Sequence, residues 1–279
     1  STMRVFAFDH RAQLEAMPGY SPEQGGAFKE LCLQAALRVA DGRPGYGILC
    51  DDRIGRRALH AASGSGLWIG RPCEWPGSRP LALEPALGPD CGGLEAWARE
   101  DVVKVLCFCH PDDDAALRAD QEATLKRLFA AARRNGLEFL LEIIPSKVGP
   151  VDDDTTATLI RQFYAAGVYP DWWKLEPMRT PAAWAKAVAA IEDHDRHTRG
   201  IVVLGLDAPE AELAASFTVA AAFPLVRGFA VGRTIFGTVA RDWLAGKIGD
   251  EAAVEEMAAR FARLSGLWDK ARAGARVAA

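Results

Sequence analysis

Three charged residues stand alone inside otherwise apolar runs of the sequence. Lys104 lies within Val-Val-Lys-Val-Leu, Glu142 within Leu-Leu-Glu-Ile-Ile, and Lys174 within Trp-Trp-Lys-Leu-Glu. Each run has the length and composition of a buried β-strand, where a charged side chain needs a partner or a function. One such residue could be a buried ion pair without catalytic meaning. Three of them on successive strands predict a shared site.

The residue types of this trio indicate a particular chemistry. A lysine that has a second ammonium group nearby and little water around it retains enough neutral amine to attack a carbonyl carbon. We expect Lys174 to be this amine, Lys104 to be the second cation, and Glu142 to carry protons between reacting groups. Glu176 follows Lys174 by two residues, so both side chains share one face of a strand. It could orient Lys174 or pair with Lys104, and the sequence does not choose.

Strand-like and helix-like runs alternate along the chain, which is typical of a mostly parallel sheet. The predicted strands are Arg4 to Asp9, Tyr46 to Asp51, Leu67 to Pro72, Val102 to Cys109, Glu138 to Pro145, Trp172 to Pro177, Ile201 to Asp207 and Gly228 to Arg233. The main predicted helices are Gly26 to Ala40, Asp113 to Asn135, Thr155 to Ala166, Pro181 to Asp195 and Glu210 to Phe223, with one or two more between Thr238 and Ala279. No Gly-rich nucleotide fingerprint accompanies these units. We therefore expect one α/β domain over residues 1–279, folded as a (β/α)8 TIM barrel.

The segment from Glu74 to Asp101 departs from the regular alternation. It is rich in Pro and Gly, is long for a loop, and looks helical only from Leu94 to Arg99. Long loops that follow barrel strands lie over the catalytic face. We therefore predict that this segment is a lid or a substrate-binding loop.

Polar residues also collect where the predicted strands end, which is where barrels place their functional side chains. The first strand ends with Asp9-His10-Arg11. Guanidinium groups suit phosphate or carboxylate, and glycines beside an arginine suit a phosphate site. Two roles for Asp51 are equally favoured by the sequence. It could cap the following helix or contact a substrate hydroxyl group. The substrate-binding residues predicted in this way are Arg11, Asp51, Arg71, Glu176, Gly205, Gly232 and Arg233.

Composition narrows the range of partners. The net charge is −4 and the sequence pI is about 5.8, which gives no electrostatic case for nucleic acid or an anionic membrane. No apolar run is long enough to span a bilayer and no signal-peptide pattern begins the chain, so we predict a cytoplasmic protein. Cys107-Phe-Cys109 lacks zinc-knuckle spacing and the histidines form no ligand cluster, so we predict no metal site, no cofactor and no disulfide framework.

In their order and spacing, these motifs resemble a known family. They are Asp9-x-Arg11, Val-Lys104-Val-Leu, Leu-Leu-Glu142-Ile, Trp-Lys174-Leu-Glu-Pro and Gly232-Arg233-Thr. The whole chain resembles the class I aldolases related to tagatose 1,6-bisphosphate aldolase. It is most similar to the 2-deoxy-5-keto-gluconate 6-phosphate aldolase-like domain of inositol catabolism, which is often fused behind a sugar kinase.

The resemblance implies roles for these residues. Lys174 would form the Schiff base, Glu142 would shuttle protons, Lys104 and Asp9 would be polar neighbours, and Arg233 would bind phosphate. His10 stands where the tagatose enzymes have glutamine, which sets the chain apart from their sugar contacts. The run from Ile69 to Pro80 looks instead like the inositol-pathway group, in which Arg71 or Arg79 could pair with a substrate carboxylate.

The expected activity is therefore metal-independent cleavage of 2-deoxy-5-keto-D-gluconate 6-phosphate to dihydroxyacetone phosphate and malonate semialdehyde. This would make the chain a carbon–carbon lyase of carbohydrate metabolism. Three alternatives stay open: an aldolase for tagatose or fructose 1,6-bisphosphate, a non-catalytic sugar-phosphate-binding barrel attached to a kinase, and, less favoured, a zinc-dependent aldolase. The implied partners are a small sugar phosphate and a fused or bound sugar kinase, and a homo-oligomer is left open.

Overall fold

The eight strands form one closed barrel in chain order in the computed structural model, which describes residues 2–278. The strands are β1 Met3–Ala7, β2 Tyr46–Leu49, β3 Trp68–Pro72, β4 Asp101–Cys107, β5 Glu138–Ile143, β6 Trp172–Leu175, β7 Gly200–Leu204 and β8 Val226–Val231. Pairing is parallel between β1 and β2, β1 and β8, β2 and β3, β4 and β5, and β5 and β6. The predicted (β/α)8 TIM barrel is confirmed.

Nine α-helices accompany the strands within the described residues. They are α1 Ala12–Glu15, α2 Pro22–Ala40, α3 Arg56–Ala62, α4 Ala115–Arg134, α5 Thr155–Ala165, α6 Pro181–Glu192, α7 Glu210–Ala220, α8 Arg233–Leu244 and α9 Asp250–Ala278. Three short 3-10 helices cover Pro85–Leu87, Gly92–Ala96 and Pro145–Lys147.

The predicted element boundaries were wrong at several ends. The predicted strands ran up to two or three residues too far, so Asp9, Asp51 and Glu176 follow β1, β2 and β6 and are not part of them. The sequence prediction also missed the short helices α1 and α3. The helix α2 begins four residues earlier than predicted because the Ser21 side chain accepts a hydrogen bond from the Gln24 amide (3.2 Å) and proline occupies the first helical position.

The chain divides into two compact units. The first unit contains residues up to 71, residues 203–222 and residues from 227 onward, and the second unit contains residues 72–202 and 223–226. The prediction of a single domain over residues 1–279 stays a prediction.

In the first unit, β1 pairs with both β2 and β8. A Cβ atom at Gly228 would lie 1.6 Å from the Met3 carbonyl oxygen, so only glycine lets β8 approach β1 this closely. The long C-terminal helix α9 covers this part of the core, with Phe261 packed against Phe6 at 5.6 Å between ring centroids and Trp268 against Phe217 at 5.4 Å.

In the second unit, β4, β5 and β6 form a continuous parallel ladder. Trp173 is fully buried and faces α5, where its indole N–H donates to the Tyr164 hydroxyl (3.1 Å). Trp173 therefore packs against the helix layer. The Trp172 indole N–H instead donates to Glu138 at the start of β5 (2.8 Å).

The long segment after β3 is a folded structure. Residues 73–84 form a short antiparallel hairpin, in which Trp75 N–H donates to the Ala82 carbonyl (2.8 Å) and Glu84 N–H donates to the Cys73 carbonyl (2.8 Å). The side chains of Leu81, Leu87 and Leu94 are buried and anchor the segment. The helix predicted from Leu94 to Arg99 was wrong, because the helical turn here is the 3-10 helix Gly92–Ala96.

All six cysteines are buried free thiols. Burial raises the pKa of the Cys50 thiol well above its ordinary value, which makes it a poor nucleophile. None of the helices in the described part of the chain combines the length and the apolar character needed to cross a membrane.

Candidate active site

The three charged residues of the apolar runs lie on the adjacent strands β4, β5 and β6. Glu142 and Lys174 are directly opposite each other in the β5–β6 register, and Leu106 is opposite Glu142 in the β4–β5 register. Lys104 precedes Leu106 by two residues and therefore shares its face of the sheet. The parallel ladder thus brings both lysines to the glutamate from opposite sides.

Glu142 joins the two lysines through its two carboxylate oxygens. Its Oε1 lies 2.8 Å from the Lys174 Nζ, and its Oε2 lies 2.9 Å from the Lys104 Nζ. The side chains of Lys104, Glu142 and Lys174 are at most 7% exposed, so these ion pairs are largely shielded from water. We expected Lys104 to act on Lys174 as a nearby second cation, but the carboxylate of Glu142 binds both ammonium groups.

Glu74 is a fourth member that was not proposed as a site residue from the sequence. Its Oε1 lies 3.2 Å from the Lys104 Nζ, and its Oε2 accepts a hydrogen bond from the Leu106 amide (3.0 Å). Glu74, Lys104, Glu142 and Lys174 therefore form one buried group, called here the lysine–glutamate cluster. Two ammonium groups face two carboxylates, so the cluster is formally neutral.

Glu176 does not take either of the roles proposed from the sequence. Its recorded hydrogen bonds come from Ser146, whose amide donates to Oε1 (3.1 Å) and whose hydroxyl donates to Oε2. The 3-10 helix Pro145–Lys147 after β5 brings Ser146 to this position. Burial raises the pKa of the Glu176 carboxyl, an effect that the two hydrogen bonds from Ser146 partly oppose.

The raised pKa of Glu176 predicts a pH-dependent cost to stability. The folded protein binds the proton of Glu176 more tightly than the unfolded chain does, so stability falls as pH rises from the ordinary carboxyl range through the raised value. Replacing Glu176 with glutamine should remove this fall. Its effect would be at most about 1.4 kcal/mol per pH unit within that window.

Urea unfolding from mildly acidic to neutral pH measures the effect. The stability of Glu176→Gln relative to wild type should increase with pH. The same substitution at Glu95, which is exposed on the 3-10 helix Gly92–Ala96, should give a difference that does not change with pH. Parallel stability curves for wild type and Glu176→Gln would contradict the prediction.

Arg79 and His110 have internal partners in the second unit. Arg79 forms an ion pair with Asp113, and the other carboxylate oxygen of Asp113 accepts a hydrogen bond from the His110 amide (3.0 Å). The His110 ring is buried, with Nε2 2.8 Å from the Pro150 carbonyl oxygen. A substrate carboxylate would compete with Asp113 for Arg79.

In the first unit, Asp51 is held by Lys29, a residue that the sequence reading did not single out. Lys29 comes from α2, is 1% exposed, forms an ion pair with Asp51 Oδ1 and donates to the His10 carbonyl (3.0 Å). Asp51 Oδ2 accepts a hydrogen bond from the Ile54 amide (2.7 Å). Both carboxylate oxygens are therefore engaged, which favours the capping role of Asp51, although it caps the turn before α3 and not the helix itself.

The other predicted residues of the first unit are close to strand ends. Asp9 and Arg11 are buried after β1, and Arg71 is half-buried on β3. Gly232 permits a close approach, since a Cβ there would lie 2.1 Å from the Ala7 carbonyl oxygen, and a Cβ at Gly205 would lie 3.1 Å from Val231. Their roles as substrate contacts stay predictions.

Arg233 begins α8 and lines a cavity of about 730 Å³ in the first unit. Its guanidinium lies 3.2 Å from Asp207, which has a left-handed backbone conformation with φ +64°. The cavity is also lined by Arg241, Arg260 and Arg263. Arginines suit an anionic ligand, although Asp207 would have to be displaced from Arg233 before a phosphate could bind there.

Among residues 2–278, no group of three or more His, Cys, Asp or Glu side chains is arranged to hold a metal ion. The lysine–glutamate cluster instead offers a primary amine beside a carboxylate, with limited access for water. Such an arrangement can form an imine with a carbonyl compound and move the protons that this requires.

Comparison with solved structures finds the same fold. One similar structure is a ternary co-crystal of fructose-bisphosphate aldolase from Plasmodium falciparum with TRAP and a small-molecule inhibitor, with a TM-score of 0.66 and 13% identity over 95% of this chain and 89% of that chain. Another is the crystal structure of Cgl0159 from Corynebacterium glutamicum, with a TM-score of 0.58 and 20% identity over 93% of this chain and 85% of that chain. At such identities the likeness supports the fold alone.

Of two comparisons of the sequence, one identified a family and the other found no individual protein. No match was found among curated proteins. A family model described as "Uncharacterized protein conserved in bacteria (DUF2090)" matches residues 1–272. Because this match covers nearly all of the 279 residues, the chain belongs to the DUF2090 family.

Proposed function

We propose that this protein is a class I aldolase that cleaves a phosphorylated ketose through an imine on Lys174. The observation that carries the proposal is the buried Lys174 amine, 2.8 Å from the carboxylate of Glu142. The likeness of the fold to that of a fructose-bisphosphate aldolase is consistent with it.

The first chemical step would use this contact. Glu142 takes a proton from Lys174, and the neutral amine then attacks the ketone carbon of the substrate. The proton on the attacking nitrogen passes to the alkoxide oxygen, which gives a hydroxyl group. Glu142 then returns its own proton to this hydroxyl, which leaves as water and produces a positively charged imine. Lys104 holds the second oxygen of Glu142 and fixes the direction of the first.

Carbon–carbon cleavage follows from the imine. Glu142 removes the proton of the hydroxyl on the carbon β to the imine carbon, and the bond between the α and β carbons breaks. Its electron pair moves toward the imine nitrogen, so an aldehyde leaves and an enamine remains on Lys174. Protonation of the enamine carbon and addition of water then release the second product and the free lysine. The imine is itself the electron acceptor, so these steps require no metal.

We propose 2-deoxy-5-keto-D-gluconate 6-phosphate as the substrate, with dihydroxyacetone phosphate and malonate semialdehyde as products. The resemblance of the sequence to the inositol-pathway group, including the run from Ile69 to Pro80, supports this choice. An assay that offers this compound together with tagatose and fructose 1,6-bisphosphates would test it. A higher kcat/KM for either bisphosphate would overturn the substrate assignment but not the imine chemistry.

Borohydride trapping tests the chemistry directly. Incubation of the protein with dihydroxyacetone phosphate and borohydride should reduce the imine to a stable adduct, which peptide mass spectrometry should locate on Lys174. Absence of an adduct, under conditions in which an established class I aldolase is labelled, would overturn the proposed function. Unchanged trapping after treatment with a chelator would show that no metal takes part.

A further inference from the structure

Glu74 lies where it can set the charge balance of the lysine–glutamate cluster. Its side chain is 5% exposed, as buried as that of Glu142. One oxygen lies 3.2 Å from the Lys104 Nζ, while Glu142 binds the same ammonium group at 2.9 Å. Lys104 is therefore held between two carboxylates, and Glu142 also binds Lys174.

The backbone around Glu74 explains why the carboxylate is held in this place. Cys73 N–H donates to the Lys104 carbonyl (2.9 Å), as a continuation of the β3 strand would. The next bond of a parallel ladder would run from the Leu106 amide to the Cys73 carbonyl, but that carbonyl accepts the Glu84 amide of the hairpin (2.8 Å). The Glu74 side chain takes over as the acceptor for Leu106 (3.0 Å).

This arrangement constrains the Glu74 carboxylate at both of its oxygens. The Leu106 amide positions one oxygen and the Lys104 ammonium group positions the other. A buried carboxylate with two such donors is held in place. The hairpin of residues 73–84 therefore holds a negatively charged group, the Glu74 carboxylate, against the Lys104 ammonium group that Glu142 also binds.

The charge matters because Glu142 has to change its protonation state in the proposed reaction. If Lys104 faced Glu142 alone, its whole attraction would favour the carboxylate form of Glu142 and oppose proton transfer from Lys174. A second carboxylate on Lys104 offsets that attraction. Glu142 can then both accept and return a proton.

We propose that Glu74 is a positioning residue whose negative charge neutralises Lys104 and thereby tunes Glu142 as the proton carrier of the site. The inference rests on the proposed imine chemistry. Glu74 acts through Lys104 and does not itself touch the reacting atoms.

The test is the substitution Glu74→Gln, which keeps an acceptor for the Leu106 amide and removes the charge. We expect kcat to fall by about 10- to 100-fold with KM changed by less than about threefold, because proton transfer is impaired and substrate binding is not. Without the negative charge Glu142 is harder to protonate, so the acid limb of the kcat profile should move to lower pH. A purely structural role would lower the amount of active protein without moving this limb.

Two further comparisons complete the experiment. Glu95→Gln makes the same change at an exposed site of the same segment and should leave kcat and its pH profile unaltered. The pair Glu74→Asp and Glu74→Asn compares a charged with a neutral side chain of one length, and the acid limb of the Asn variant should lie at lower pH. This pair carries the comparison if Glu74→Gln fails to fold.

The results separate the two proposals. Wild-type protein that is trapped on Lys174, combined with identical acid limbs for the neutral and charged variants at position 74, would overturn the role of Glu74 alone. Wild-type protein that is not trapped would overturn the proposed function, and the role of Glu74 with it. Trapping that becomes slower in Glu74→Gln while remaining on Lys174 would support both.

Discussion

Replacing Lys174 with methionine is expected to abolish the borohydride adduct and to lower kcat/KM by about 10⁴-fold or more, because no other group in the cluster can form the imine from the same position. Methionine fills a similar volume without an amine. Glu142 keeps its contact to Lys104 at 2.9 Å, but Lys104 then faces both Glu142 and Glu74, which leaves the cluster with one net negative charge. The variant should therefore be less stable than the wild type but folded, since each carboxylate still has a cationic partner.

The measurement combines trapping, steady-state kinetics and thermal unfolding of the same preparation. Lys186→Met is a matched control, since Lys186 lies on α6 and pairs with Asp154 at the surface (2.7 Å). It should be labelled and active like the wild type. Turnover by Lys174→Met comparable to that of the wild type, or an adduct on another lysine, would contradict the assignment of Lys174.

Replacing Lys29 with methionine is expected to lower the free energy of unfolding by about 3–5 kcal/mol, because it leaves the buried Asp51 carboxylate without its counter-charge. Asp51 is 1% exposed and would keep only the hydrogen bond from the Ile54 amide (2.7 Å). The hydrogen bond from Lys29 to the His10 carbonyl would be lost as well. The loss should be the largest change in stability among the substitutions considered.

Urea unfolding followed by tryptophan fluorescence measures this loss. The double substitution Lys29→Met with Asp51→Asn removes the uncompensated charge and should recover part of the stability. Lys126→Met on the exposed face of α4 should stay within about 0.5 kcal/mol of wild type. The interpretation is wrong if Lys29→Met unfolds like the wild type, or if the double variant is less stable than the single one.

The positions of the strands could be predicted because their apolar runs are short and are separated by clear turn signals. Lys104, Glu142 and Lys174 could be found for the same reason, since a lone charge is conspicuous in an apolar strand. That Glu142 stands between the two lysines could not be predicted. It depends on the ladder register, which pairs Glu142 with Lys174 on one side and with Leu106 on the other. Lys104 reaches Glu142 because it lies two residues before Leu106 on the same face.

Three residues that hold predicted site residues in place were missed because their local sequence resembles ordinary structure. Lys29 lies in a 19-residue amphipathic helix, where a lysine side chain is usually exposed to solvent. Glu74 lies in a Pro- and Gly-rich segment without periodicity, so neither its burial nor its direction can be inferred. Ser146 became relevant only through the 3-10 helix that carries it to Glu176.

The hairpin of residues 73–84 also bears on how the substrate range of this protein could be changed. Loops of (β/α)8 barrels are commonly treated as exchangeable modules on a constant framework. Here the first residues of the loop supply both a framework hydrogen bond, through the Leu106 amide, and an ionic contact to Lys104. A graft that starts after Glu74 would replace the rest of the hairpin and keep the charge balance of the lysine–glutamate cluster. One that starts at Cys73 would exchange specificity and proton transfer together.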